Sequence, residues 1–485
     1  MPAPLLVGDV FRNAARAVPD RVAVVIGDDA LTFGKLDRMA NAGAQELAGA
    51  SLHPGDRIAV LAPTDLTTVV LFAAVAKLGG VFVPLNPALG DDELAAIVAT
   101  ARPAAVIQAD VADDRPFRQG IATWGRDRHG WLDEAVRDIG SDHAVAETDP
   151  HVVFFTSGST GAPKGAVLSH RVNVLRTHPG SQFEPRGVNV CMFPLFHMAG
   201  WTIAMGQWQA RDAVVFAPPD PVALADAVAR HRATRMNCIP LVWRRILDAV
   251  AAGAVEPASL SSLRFADTGT SATPPELLTA IRGLVPQATV RVFYGSTEAG
   301  NVASLEMADF ERKPGSVGPP SLLTEVRVTA AGELEVTGPL LFDGYFEDPE
   351  ATAAALVDGW YRTGDLAALD DDGHLTITGR AHATIRTGGE TVAPAEVEQA
   401  LRDHPAIADV AVVGLADADY GEVVCAVVVA RDAVVPTLDD LRTFASRALA
   451  GYKLPRRLEM VDELPRTAAT GQVQRHLLVE RITGA

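Results

Sequence analysis

The sequence predicts an α/β protein with a large N-terminal domain of layered α/β subdomains, a small β-rich part near that domain's end, and a small C-terminal α/β domain. Three observations carry this. Short apolar runs of strand composition alternate with segments of helical period through the N-terminal part, the pattern of largely parallel sheets between helices. A chain of 485 residues, 48% hydrophobic, can bury more than one core. Beyond Gly379 the composition restarts as a compact α/β unit, which sets the domains at 1–379 and 380–485.

The elements follow in order. Leu5 to Ala17 has helical apolar spacing, and Val22 to Ile26 reads as a strand. Leu31-Thr-Phe-Gly-Lys-Leu leads into a helix through Leu47, and the turn Pro54-Gly-Asp-Arg launches a strand from Ile58 to Leu61. Thr67 to Leu78 is an apolar helix, Val81 to Leu85 a strand, Asp91 to Ala101 a helix and Ala104 to Ile107 a strand. Residues 109–148, polar and weakly periodic, read as surface connection with a helix near Leu132 to Ile139. In the C-terminal unit Val410 to Leu415 and Val423 to Ala430 read as strands, Leu438 to Leu449 as a helix, and Pro394 opens an acidic helix.

Composition excludes several function classes. A net charge of −18 disfavours nucleic acid and anionic membranes as partners. Cys191, Cys238 and Cys425 are far apart in apolar surroundings, as expected of buried thiols in a reducing compartment. No uncharged apolar run reaches the roughly 20 residues of a membrane helix, and the N-terminus lacks a signal-peptide pattern, so a cytoplasmic protein without membrane insertion is expected.

The chemistry concentrates in Phe154 to His170, FFTSGSTGAPKGAVLSH. Between two apolar strand-like runs lies a loop with Thr156, Ser157, Gly158, Ser159, Thr160, Gly161 and the cation Lys164. Glycines let a backbone approach a ligand closely, and concave N–H groups with hydroxyls suit a polyphosphate. It is not a Walker loop, because Pro163 stands where that motif needs a glycine. Downstream, Val290-Arg-Val-Phe-Tyr-Gly-Ser-Thr-Glu298 delivers Tyr294, Gly295, Thr297 and Glu298 at a strand end. There a ring can lie on a base, a hydroxyl can donate to phosphate and a carboxylate can bind Mg2+, a hard ion. Trp360-Tyr-Arg-Thr-Gly-Asp365 puts a carboxylate at a glycine turn, suited to ribose hydroxyls.

The loop TSGSTGAPKG resembles the signature of the adenylate-forming superfamily: acyl-CoA synthetases, synthetase-like luciferases and peptide-synthetase adenylation domains. In appearance the chain is most similar to fatty-acid–CoA ligases, and the likeness covers nearly all of it. Its Y-G-S-T-E segment, Lys313-Pro-Gly-Ser-Val-Gly318, Gly332 to Pro339 and Gly344-Tyr345 continue it. The resemblance implies adenine contact at Gly269, Thr270 and Ser271, where the family usually has Gly-Gly-Ala. It implies ribose and phosphate contact by Arg380, and an acyl pocket beside His197, Met198, Gly200 and Trp201. It makes the C-terminal domain a mobile lid, with Gly388, Gly389 and Glu390 lining a CoA channel. The expected cofactors are ATP, Mg2+ held by Glu298, and CoA. The expected partners are a small carboxylic acid and CoA, with a homodimer left open.

Two positions depart from the pattern. His382 and Ala383 stand where the family has a polar hinge pair, and Gln472 stands where P-R-T-x-x-G-K places a catalytic lysine, in a motif one residue longer. A cation there bridges two anions as negative charge builds, a contribution of about 2.7–4 kcal/mol. Lys164, Thr297, Glu298 and Gln472 are thus the expected catalytic set, with Arg466, Lys453 and Arg475 as candidate substitutes for the lysine. The leading expectation is an acyl-CoA synthetase for an apolar, fatty acid; Phe196, Trp201 and Trp243 point to the apolar substrate. An acyl-AMP ligase loading a carrier protein, or a degenerate nucleotide- or acyl-CoA-binding protein, stands beside it.

Overall fold

The computed structural model describes residues 4–108, 145–157, 163–183, 187–270, 273–380, 384–431, 435–465 and 473–484, with the strand Ala122–Gly125. The helix expected near residues 132–139 lies outside them. Two compact units divide the chain: Met1–Pro87, Ala101–Phe155 and Gly165–Thr378 form the first, and Ala88–Thr100, Thr156–Lys164 and Gly379–Ala485 the second.

In the first unit, Val22–Ile26, Arg57–Leu61 and Val81–Leu85 are strands, and helices Val7–Ala17 and Phe33–Gly49 fall where the periodicity puts them. Arg57–Leu61 lies between Val81–Leu85 and Ala105–Gln108, parallel to both, in a seven-stranded sheet. Its apolar run is continuous because both faces are covered. Helix Leu66–Leu78 is buried from Thr68 to its end, so it carries no polar face. The Asp65 side chain accepts from Thr68 N at its start, and Gly79 ends it in the left-handed region with φ 79°. Lys77, buried in its last turn, is matched by Asp37 at 2.7 Å. Ala122–Gly125, expected as connection, instead pairs parallel with Ala105–Gln108 at the sheet edge.

An eight-stranded sheet carries Phe265–Gly269 beside Thr289–Ser296, in parallel. Asp267 and Arg291 face each other across this pair, both buried, joined by two hydrogen bonds of 2.8 and 2.9 Å. The guanidinium also lies over Phe265 and Phe293. A bidentate pair of this kind fixes register, since loss of either partner strands a buried charge. A third, five-stranded sheet holds Glu333–Thr337, Trp360–Leu369 and Leu375–Arg380, the β-rich part expected near the end of the N-terminal domain.

Strand Gly421–Ala430 centres the sheet of the second unit, antiparallel to Ile407–Asp417. Its alternation serves two cores. Val424, Ala426 and Val428 pack with Val397 and Leu441 of the helices Pro394–Arg402 and Leu438–Ala445. Val423, Cys425 and Val427 pack with Leu478 of the helix Arg475–Thr483. All three cysteines are free and buried, and burial pushes the Cys191 thiol up to about 12. Among the described residues no helix is long and apolar enough to cross a membrane.

His151 and His170 are fully buried in the first unit, with ring centroids 4.9 Å apart. His170 Nδ1 accepts from Val7 N and His151 Nδ1 meets Asn173 Nδ2, while among the described residues Nε2 of each finds no hydrogen-bond partner. Burial holds both rings neutral: His170 is lowered from 6.5 to about 4, with Asp149 opposing, and His151 falls well below its ordinary value. The unfolded chain therefore binds protons that the folded one refuses. The stability is intact above pH 6.5 and falls as the pH drops below it, with His170 contributing a loss of ~3 kcal/mol by pH 4. Urea midpoints at pH 7 and pH 5 should separate more for the wild type than for His170→Asn, whose amide oxygen can still accept from Val7. Equal separation would remove His170 as a cause.

Candidate active site

Two neighbouring strands of the eight-stranded sheet deliver the expected residues at their carboxyl ends, where open α/β sheets bind ligands. Gly269 stands opposite Phe293, and a Cβ on it would lie 2.3 Å from Phe293 O, so no larger residue fits this close approach. Thr270 follows with φ 69°, a left-handed conformation costly for a β-branched side chain, and its Oγ1 donates to Gly269 O at 2.6 Å. Tyr294, Gly295 and Ser296 end the second strand, and Thr297, Glu298 and Ala299 turn the chain into the antiparallel strand Gly300–Glu306. A Cβ on Gly295 would lie 2.0 Å from Gly300 O.

The five-stranded sheet brings Asp365 to the same place. Tyr294 Oη donates to Asp365 Oδ2 at 2.6 Å, and Asp365 is 6% exposed. Thr363 Oγ1 accepts from Asp365 N and donates to Leu334 O, which sets the turn. Lys313 pairs with Asp370 and Asp372, each at 2.6 Å, and so ties its loop to the turn following Asp365's strand. The lysine holds the Asp370 carboxyl down to about 2, with backbone N–H donors assisting.

Glu298 accepts from Tyr345 Oη on Oε1 at 3.1 Å. Beneath it Arg176, from the helix His170–Phe183, donates to the main-chain oxygens of Leu340, Thr297 and Glu298 at 2.8, 2.8 and 2.7 Å. Burial lowers this guanidinium to about 10, against Glu298 and Asp343, which raise it. It remains charged at neutral pH and clamps the Thr297–Glu298 turn. Among the described residues no group of three His, Cys, Asp or Glu side chains can cage a metal ion. A lone carboxylate suits Mg2+, which is commonly held by one or two carboxylates together with substrate phosphates.

His197 caps the helix Met198–Gln209, its Nδ1 accepting from Ala199 N at 3.2 Å. Met198 accepts from Thr202 Oγ1, and Gly200 packs against Pro194 O so closely that a Cβ would lie 2.7 Å away. Trp201 is 3% exposed, stacked on Phe72 at 3.9 Å, with its N–H donated to Leu195 O. Trp243 is fully buried and donates to Asp267 O. Both indoles are core residues in this structure.

Lys164 is half-buried at the start of the strand Pro163–Ser169, and Thr156 and Ser157 end the strand Pro150–Ser157. Arg380 ends the strand Leu375–Arg380. In the second unit Gly388 and Gly389, with φ 60° and 90°, form the tight turn from Ile385–Thr387 into Glu390–Val392. Gly158, Ser159, Thr160, Gly161, Ser271, His382, Ala383, Arg466 and Gln472 lie outside the described residues. Two of the candidate substitutes for a lysine are engaged elsewhere. Lys453 is 4% exposed and bound by Glu93 and Glu396. Arg475 donates to Glu398 at 2.7 Å and to Val412 O. The role of Arg176 carries no local sequence signal, whereas Tyr345 sits in a Gly-Tyr pair that the sequence does display.

The sequence model described as AMP-binding enzyme matches residues 11–346, and that of the AMP-binding enzyme C-terminal domain matches residues 396–470. The chain belongs to the AMP-binding enzyme family. This AMP-binding enzyme is 35% identical over 484 residues to a feruloyl-CoA synthase of Amycolatopsis sp, covering 95% of this chain and 97% of that one. It is 31% identical over 517 residues to a long-chain-fatty-acid–CoA ligase of Mycobacterium tuberculosis, covering 98% of each. Among solved structures, the o-succinylbenzoate CoA synthetase of Bacillus subtilis with a product analogue matches with TM-score 0.88 at 25% identity, covering 99% of both chains. The AMP-binding enzyme is thus of the acyl- and aryl-CoA ligase group, which works with ATP, Mg2+ and CoA.

Proposed function

We infer that this enzyme joins an apolar carboxylic acid to CoA through an acyl-adenylate. The observation that carries the reading is the convergence of Tyr294, Asp365, Thr297 and Glu298, from two sheets, at the carboxyl end of one strand pair. On this reading Asp365 accepts from the ribose hydroxyls, Tyr294 lies along the base beside Gly269 and Thr270, and Thr297 donates to the α-phosphate. Lys164 and the loop at 156–161 hold the terminal phosphates. Mg2+, when bound with the nucleotide at Glu298, neutralises phosphate charge. A carboxylate oxygen of the acid attacks the α-phosphorus and pyrophosphate leaves; the CoA thiolate then attacks the acyl carbon and AMP leaves. Residues 380–485 act as the lid, with Gly388, Gly389 and Glu390 on the thioester-forming face. A cytoplasmic enzyme fits this reading, since ATP and CoA are both supplied there.

The acid itself is open to a fatty or an aromatic class, since the relatives carry both kinds of name. His197, Met198 and Gly200 form the acyl side on this reading, with Trp201 as a buried anchor beneath. Pyrophosphate release across fatty and aryl-propenoic acids, with and without CoA, tests it. Acid-dependent release followed by CoA thioester supports it; ATP binding without release on any acid would favour a binding protein.

A further inference from the structure

One side chain gathers three peptide carbonyls at the turn that carries Thr297 and Glu298. Arg176 stands in the second turn of the helix His170–Phe183. Its Nε donates to Leu340 O at 2.8 Å, Nη1 to Thr297 O at 2.8 Å and Nη2 to Glu298 O at 2.7 Å. Every nitrogen of the guanidinium is thus committed to a different oxygen. Thr297 and Glu298 are consecutive, so both of their carbonyl dipoles point at one cation. Two such dipoles turned the same way repel each other, and the positive charge between them offsets that repulsion. Phe342 N adds a second donor to Glu298 O at 2.7 Å. Gly300, with φ 70°, closes the turn over the arginine: a Cβ there would lie 3.0 Å from Nε and 3.4 Å from Cδ of Arg176. Ala299 N donates to Ser296 Oγ at 3.1 Å and ties the turn to the end of its strand. All of these residues lie in the first unit.

A planar fork of fixed geometry suits three acceptors in set directions, which a flexible ammonium does not. Hydrogen bonds from a charged donor are of the stronger kind, so the peptide planes at Thr297 and Glu298 keep one arrangement while Arg176 is present. With the backbone held, the Thr297 hydroxyl leaves it in a fixed direction. We propose that Arg176 is a positioning residue that aims the Thr297 hydroxyl at the α-phosphate. The proposal rests on the reading of Thr297 as the donor to that phosphate. A positioning role concerns the phosphate alone. Asp365 and Tyr294, on the ribose and base side, hold each other through their own hydrogen bond and should not feel the loss of the arginine. A tie that merely stabilises the fold would instead weaken every part of nucleotide binding together.

The test compares AMP with adenosine by calorimetry on the full chain without metal, since the difference between them reports the α-phosphate. Arg176→Lys keeps a positive charge and loses the fork; AMP affinity should fall about tenfold while adenosine affinity stays near wild type. Thr297→Ala should show the same selective loss. Because one residue acts through the other, the double variant should be little worse than Thr297→Ala alone. For Arg176→Ala, added ethylguanidinium should restore the preference for AMP, and ethylammonium should not. If Thr297→Ala is selective and neither arginine variant is, the positioning role is overturned while Thr297 keeps its assignment. If Thr297→Ala leaves AMP affinity unchanged, the reading of Thr297 falls and the proposal with it. Equal loss of both ligands, or loss of the fold, in the arginine variants would mark Arg176 as a structural tie only and overturn the proposal.

Discussion

Gln472→Lys is expected to accelerate acid-dependent ATP–pyrophosphate exchange, by up to about a hundredfold if the full electrostatic contribution returns. In the first half-reaction two anions approach while charge builds on the transferred group, and glutamine offers hydrogen bonds but no charge. The second unit does not supply a ready substitute from Lys453 or Arg475. Lys453 is buried between Glu93 and Glu396, and removing it would strand those carboxylates; the Glu396 carboxyl is already raised to about 7, chiefly by burial. Arg475 holds Glu398 and the backbone of the strand Ile407–Asp417. The motif is one residue longer than the family pattern, so Gln472→Lys with Ala469 deleted is the sharper variant. Conversion of a supplied acyl-adenylate to thioester should barely change in either. An unchanged exchange rate in both, with brisk turnover in the parent, would mean that another cation, Arg466 first among them, does the work.

Asp365→Ala should weaken AMP binding by about a hundredfold or more, since two ribose hydroxyls lose a charged acceptor at ~1.5–3 kcal/mol each. The carboxylate is almost wholly buried and already anchored by Tyr294, so it arrives pre-oriented. Tyr294→Phe removes that anchor but keeps the charge and the ring, and should cost far less. Calorimetry with AMP distinguishes them. An Asp365→Ala protein that melts like the wild type and binds AMP with unchanged affinity would take Asp365 out of the site.

Much of the fold was legible because local signals bracket it. Val22–Ile26, Val81–Leu85 and Asp91–Ala101 run between glycines, prolines and charged turns, and their bounds are those read from the sequence. The helix His170–Phe183 was not, because its apolar spacing is weak and Pro179 and Gly180 interrupt it. Yet that helix carries Arg176, whose partners Thr297 and Glu298 lie 121 and 122 residues away. Contiguous motifs announced Tyr294, Glu298 and Asp365. The supports of Glu298, Arg176 and Tyr345, come from distant parts of the chain that no single window brings together. Trp201 and Trp243 are core residues whose indole N–H groups are spent on the backbone carbonyls of Leu195 and Asp267.

If the acid is activated as an acyl-adenylate, the substrate's carboxyl oxygen ends on AMP. With an acid labelled with heavy oxygen in its carboxyl group, ATP and CoA, attack on the α-phosphorus leaves one labelled oxygen on the phosphate of AMP. AMP should carry a single label by mass spectrometry, together with unlabelled pyrophosphate. Label in inorganic phosphate or pyrophosphate, with AMP unlabelled, would contradict it.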